Sequence, residues 1–332
     1  MKRLRLWPLL LAAACGGPRP DAPVETVLLP VGASFAEMTD SLAAHRIVTN
    51  RWLFTWMAKL GRYDRRLQAG YYEIRQGERP LEVLKILAEG REKTFRLTIP
   101  EGFTVLDIGA AAEQTLGLPR DSILAAARDP EMLREFEVEG ATLEGFLLPE
   151  TYFVSKLITG RGLVRQLAEN FKRAWKPIWD TRRQELRLSR RDLVTLASIV
   201  EGEARVDEDR ALVAAVYLNR IRLGMPLQAD PTVQYAIQQA TGQRKSRLLH
   251  RDYQFRSIFN TYLHRGLPPS PIGAPSVKSI EAVLDAAPVP FLYFVAGLDG
   301  KHVFSRTYGD HLRAIATIRA AERRARRAQP PS

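Results

Sequence analysis

The strongest limit on how this chain can fold is a stretch of sequence grammar that occurs twice. LPVGASFAEMTDSL (29–42) lines up with IPEGFTVLDIGAAA (99–112) at an offset of 70 residues (99 − 29), sharing proline, glycine, a hydroxyl residue and an acid three positions after it. A hydroxyl followed three residues later by an acid starts a helix, because the two side chains reciprocally satisfy backbone N–H groups that the first turn leaves unbonded. EGFLLPETYFV (144–154) then matches AGYYEI (69–74) in relative place. Two strand–helix–helix–strand units are therefore predicted, over 24–98 and 99–157. Two copies are too few for a solenoid, which needs about three or more.

From 158 the texture changes to long helical runs carrying Trp175, Trp179 and many arginines, predicting a mainly helical domain over 158–314. Within it FLYFVAGLDGKHVFS reads as a β-hairpin turning at Gly297–Gly300. Residues 315–332 read as a basic tail, and the class is α+β. The chain's 332 residues, 45% hydrophobic, suffice for a sizeable core. A net charge of +12 and a pI of about 10.0 favour an anionic partner.

The N-terminus narrows the setting. MKRLRLWPLLLAAAC has secretory grammar, a basic start, a short apolar run and small residues. Its apolar stretch, Trp7–Ala14, is far shorter than the roughly 20 residues that span a bilayer, so no transmembrane anchor is expected here. LAAAC resembles a bacterial lipoprotein signal, which makes residues 1–15 a signal segment, Cys15 the lipid attachment point and GGPRPDAP (16–23) a linker. The expected location is the cell envelope, membrane-anchored and facing the periplasm or the exterior. Cys15 is the only cysteine, which excludes internal disulfides and thiolate metal sites. The secretory start and the lack of RNP, KH or zinc-finger strings argue against nucleic acid. The histidines lack ligand spacing, and no G-x-S-x-G, P-loop, dinucleotide or H-E-x-x-H string occurs, so no metal and no cofactor are expected.

Chemistry is concentrated around TLASIVEGEAR (195–205). Ser189 and Asp192 predict another capping box, and a wheel at about 100° per residue puts Leu193, Leu196, Ala197 and Val200 on one face. Glu201 then lies on one flank beside Val194, and Glu203 on the opposite flank beside Ile199. The two acids do not converge on one bond, as a pair of glycosidase carboxylates must. A glutamate at an apolar margin is partly desolvated and can hold a proton near neutral pH, whereas one at a solvated helix end cannot. Gly202 between them predicts an end or bend in the helix. In the next helix, capped by Asp207 and stopped at Gly224, Asn219 falls on the apolar side, bonded to a neighbouring backbone or aimed at a ligand. Asp230–Pro231 reads as an N-cap followed by proline at the first helical position.

EGFLLPETY, LASIVEGEA, VAAVYLNRIRLGMPLQADPTVQYA and NTYLHRGLPPSPIGAPS occur in this order. Together, from about Val24 to about Arg313, they resemble the MltG (YceG-like) endolytic murein transglycosylases. The resemblance implies LysM-like glycan-binding units ahead of a catalytic domain that cuts peptidoglycan strands internally at the MurNAc–GlcNAc bond and leaves 1,6-anhydro ends, during cell-wall growth. It implies Glu201 as the acid, with Glu203 supporting it. Asn219, Gln228, Asp230, Thr232, Tyr235, Asn260, Tyr262 and Glu150 are candidates for binding the sugar. Implied partners are glycan strands, the membrane surface through the lipid anchor, and penicillin-binding synthases. The competing expectation is a non-catalytic, peptidoglycan-binding lipoprotein that tethers such synthases.

Overall fold

The computed structural model describes residues 21–328, so the signal-like segment and Cys15 lie outside the described residues. No helix among the described residues is long and apolar enough to cross a membrane. The chain divides into two compact units, one formed by residues up to Arg96 with Tyr152–Ile158, the other by Leu97–Thr151 with the remainder from Thr159.

In the first unit β1 (Val24–Leu29) pairs antiparallel with β2 (Gly70–Arg75), setting Val27 opposite Tyr72. Between them come α1 (Phe35–Ala44) and α2 (Arg51–Leu60), and α3 (Pro80–Ala88) follows. The predicted capping box is present, with the Glu37 N–H donating to Ser34 Oγ and the Ser34 N–H to Glu37 Oε2. Val27, Leu29, Leu42, Ile47, Phe54, Tyr72 and Leu84 close one apolar core. Each such side chain contributes about 1.5–3 kcal/mol by leaving water.

The second repeat departs from expectation. Between β3 (Thr94–Thr98) and β4 (Thr151–Ser155), which pair with each other, lie three helices, α4 (Val105–Leu116), α5 (Arg120–Ala127) and α6 (Pro130–Glu135). Residues 97–151 group with the helical part of the chain, not as a unit of their own. The reason is specific bonding: Gln238 donates to Asp107 at 2.7 Å, and the Tyr235 hydroxyl donates to Glu144 at 3.3 Å.

The second unit continues with α7 (Gly160–Ala174), α8 (Pro177–Glu185) and α9 (Arg190–Glu203). Beyond these are α10 (Arg210–Arg222), α11 (Asp230–Thr241) and α12 (Val277–Leu284). α9 is its hub, because α8, α10, α11 and α12 all pack on it and every residue from Leu193 to Val200 is buried. The expected hairpin forms as β5 (Tyr293–Ala296) against β6 (His302–Ser305). α13 (Tyr308–Ala328) runs on through most of the stretch read as a separate basic tail.

Candidate active site

The last turn of α9 carries both glutamates. The capping box at Ser189–Asp192 starts the helix where the sequence places it, and α9 ends at Glu203, one residue past Gly202. Gly202 has a second reason: a Cβ there would stand 2.7 Å from the ring of Pro231, so only glycine lets the start of α11 approach this closely. Two predicted caps shift. Asp207 opens a short 3-10 turn and α10 begins at Arg210, while Asp230 is the first residue of α11, Ala229 being the cap and Pro231 second.

Glu201 faces away from solvent, its side chain 5% exposed. Its Oε1 accepts from Arg210 Nη1 at 2.8 Å, and its Oε2 accepts from the Ser276 N–H at 2.8 Å and the Ser276 hydroxyl at 2.5 Å. Arg210 also donates to Ser279 and to Asp207. Both oxygens of Glu201 are therefore spent on joining α9 to α10 and to the start of α12.

Glu203 points the other way, into a cavity of about 430 Å³. The floor is α9 and α10, the sides are the start of α11 and the loop bearing Tyr262, and the roof is β5, β6 and α13. Tyr217, fully buried on α10, donates its hydroxyl to Glu203 at 2.9 Å. Burial pushes the Glu203 carboxyl up to about 7; the negative charge of Asp230 adds to this, while the Tyr217 hydroxyl, the Asp230 backbone N–H and Arg220 oppose it. Asp230 accepts from the Tyr262 hydroxyl at 2.6 Å, and burial followed by that bond pushes the Tyr262 hydroxyl upward, so it stays a donor. The arrangement is one proton-holding acid among fixed hydroxyls, amides and a guanidinium. No group of three or more His, Cys, Asp or Glu side chains able to hold a metal occurs among the described residues.

The model of the YceG-like family matches residues 27–317. The chain belongs to the YceG-like family. Among its relatives is the endolytic murein transglycosylase of Bacillus subtilis strain 168, 28% identical over 301 residues, which cover 86% of this chain and 82% of that protein. The endolytic murein transglycosylase of Streptococcus pneumoniae strain D39 is 31% identical over 320 residues, covering 88% of this chain and 58% of the streptococcal protein, so the chain spans little more than half of its length. A solved structure, that of the yceG-like protein lmo1499 from Listeria monocytogenes, matches with a TM-score of 0.61 and 28% identity over 87% of this chain and 98% of that one.

In this YceG-like chain the remaining sequence candidates separate. Gln228, Asp230 and Tyr262 line the cavity with Glu203. Gln228 holds a left-handed backbone, φ 52°, its N–H donating to the Thr261 carbonyl. Thr232 and Asn260 lie beneath the wall as braces. The Thr232 hydroxyl bonds Thr261 at 2.9 Å, and Asn260 donates to the carbonyls of Tyr253 and Phe255 and accepts from the Tyr262 N–H, which fixes the loop that presents Tyr262. Asn219 is turned to backbone, donating to the carbonyls of Val289 at 2.8 Å and Phe291 at 2.9 Å, so it anchors the approach to β5 and does not line the Glu203 cavity. Tyr235 is buried against Glu144, and Glu150 is exposed; neither lines that cavity.

Sequence reasoning missed Tyr217, Arg220, Arg210 and Ser276. A tyrosine inside the buried run VAAVYLN was the available signal, since a buried phenol seeks a partner. Arg220 lines the cavity and is held by the carbonyls of Leu292 at 2.7 Å and Leu227 at 2.8 Å, with its guanidinium over Tyr293.

Proposed function

We propose that this chain is an endolytic murein transglycosylase that uses Glu203, not Glu201, as its single acid and base. The observation carrying this reading is the cavity-facing Glu203 carboxyl, raised to about 7 and oriented by Tyr217. Such a group holds a proton at neutral pH and releases it readily, which is the requirement for general acid catalysis. The names of the relatives supply the substrate class, peptidoglycan glycan strands.

Glu203 gives its proton to the glycosidic oxygen between MurNAc and GlcNAc as the C–O bond breaks. The anionic carboxylate then takes the proton of the muramyl 6-hydroxyl while that oxygen bonds the anomeric carbon, closing a 1,6-anhydro ring and restoring the acid. No water is consumed. The positive charge developing at the ring faces Asp230, which Tyr262 orients, and the amides of Gln228 and Gln234 and the Arg220 guanidinium supply the polar contacts that place the sugar. Glu201 acts as a structural ion pair holding the turn on which Glu203 stands.

The strand–helix–helix–strand order from Val24 to Arg75 supports reading the first unit as a LysM-like strand-binding module. Anchoring through Cys15, envelope location, action on growing wall and proximity to penicillin-binding synthases belong to the same proposal. The test is incubation of purified protein with uncrosslinked glycan strands and mass spectrometry of the new ends. Internal 1,6-anhydromuramyl ends, abolished by Glu203→Gln, are the expected result. Reducing ends would mean hydrolysis, and strand binding without cleavage would mean a tethering protein; either outcome overturns the reading.

A further inference from the structure

We propose that the outward face of α2 docks the first unit onto an anionic phospholipid surface. α2 buries Phe54 and Ala58 and leaves Trp52 74%, Trp56 53% and Leu60 70% exposed. Positions four apart along a helix share a face, so the two indoles and Leu60 form one apolar stripe. Lys59 falls on the same side of the wheel. Exposed Arg62, Arg65 and Arg66 follow directly after the helix, and Asp64 is the only acid between residues 51 and 66. No carboxylate pairs with Lys59, Arg62, Arg65 or Arg66 among the described residues.

Two indoles beside unpaired cations match a lipid interface in both chemistry and charge. An indole sets its ring among acyl chains and its N–H among headgroups, while basic groups gather anionic headgroups around it. Burial against an uncharged surface would leave those cations without counterions, and an apolar protein face would leave the indole N–H groups without acceptors. The position in the chain agrees. If Cys15 carries a lipid, the eight residues from Gly16 to Pro23 (23 − 15) keep β1 within roughly 28 Å of the bilayer, at about 3.5 Å per extended residue. The docking itself requires neither that anchor nor the catalytic reading.

The test uses the full chain bearing Cys15→Ser and Leu60→Cys, labelled at residue 60 with an environment-sensitive fluorophore. It is titrated with vesicles of phosphatidylcholine and phosphatidylglycerol (3:1), with pure phosphatidylcholine vesicles, and with purified glycan strands. A blue shift with the anionic vesicles only is expected. Trp52→Ser with Trp56→Ser should abolish the shift, and Lys59→Glu with Arg62→Glu and Arg66→Glu should weaken apparent partitioning by at least about 100-fold, roughly fivefold for each basic residue lost. No shift, an equal shift with neutral vesicles, or a shift with glycan strands alone would overturn the proposal. A probe already shielded without vesicles would mean that residues 1–20 cover the stripe, which also overturns it. Glu203→Gln, which lies outside the first unit, should dock on the anionic vesicles as the unaltered chain does, so failure here is distinguishable from failure of the catalytic reading.

Discussion

The ring of Pro231 stands where a Cβ on Gly202 would have to go, at 2.7 Å. This contact sets Asp230, at the head of α11, beside Glu203, at the foot of α9, so a backbone approach governs how two side-chain charges act on each other. Glycine inside a helix costs about 1 kcal/mol relative to alanine. The helix bears that cost because the cavity needs the approach.

Gly202→Ala should therefore be harmful even though alanine is the better helix former. Overpacking at a tight contact costs about 1–3 kcal/mol, which outweighs the propensity gain. Strand cleavage should fall further than stability does, since the displaced α11 carries Asp230 away from Glu203. Thermal unfolding and cleavage rate measured on one preparation check this. An alanine variant that is more stable and fully active would show that Pro231 yields easily.

Replacing the two glutamates separates their roles by two readouts. Glu203→Gln should reduce cleavage about 10²–10⁴-fold, the usual worth of a general acid. It should leave the protein as stable as before or more so above pH 7, because the variant no longer buries an ionising group. Glu201→Gln removes one of the carboxylates around buried Arg210, which keeps Asp207, and should cost about 1.5–3 kcal/mol of stability, with activity recovering in proportion to the folded fraction. Loss of cleavage in Glu201→Gln at full folding would return the acid to Glu201.

The alkaline limb of the pH–rate profile should lie near pH 7, following Glu203, with activity falling as pH rises through it. Two neutral substitutions should move it in opposite directions. Tyr217→Phe removes a hydrogen bond that favours the carboxylate, so the limb moves up; Asp230→Asn removes a repelling charge, so it moves down. Profiles of kcat/KM on a soluble glycan fragment give the comparison. Movement of both variants in one direction would mean that another group titrates.

What the sequence made legible was what is local. The capping boxes at Ser34, Thr104 and Ser189 each need only four consecutive residues, and all three form. The opposite facing of Glu201 and Glu203 also follows from helical period alone. Which side holds the cavity does not, because its walls come from Tyr217, Asp230, Tyr262 and His302, positions related only by the fold. Asn219 illustrates the same limit: an amide on an apolar face looks alike whether it meets a sugar or a carbonyl 70 residues away. The third helix of the second repeat was missed because α6 is a single short segment started by Asp129 and Pro130.

Glu144 lies outside the Glu203 cavity and should govern much of the pH dependence of stability. It is 3% exposed, accepts from the Val105 N–H at 3.1 Å, and is pushed up to about 8, first by burial and further by Asp107, against the Val105 and Tyr235 bonds and Arg244. Its folded value lies above its ordinary value near 4.5, so the native state binds the proton more tightly than the unfolded chain. Stability from this group is complete below about pH 4.5 and is lost as pH rises toward 8, at most about 5 kcal/mol by linkage. Glu203 has the same sign over a narrower window, ending near 7. Denaturant midpoints at pH 5, 7 and 9 should therefore fall steeply in the wild type. Glu144→Gln keeps an acceptor for Val105 and should flatten the fall between pH 7 and 9, leaving the part below 7 that belongs to Glu203. Identical slopes in the two proteins would mean that water reaches Glu144 and that the tie between 97–151 and α11 is not a buried acid.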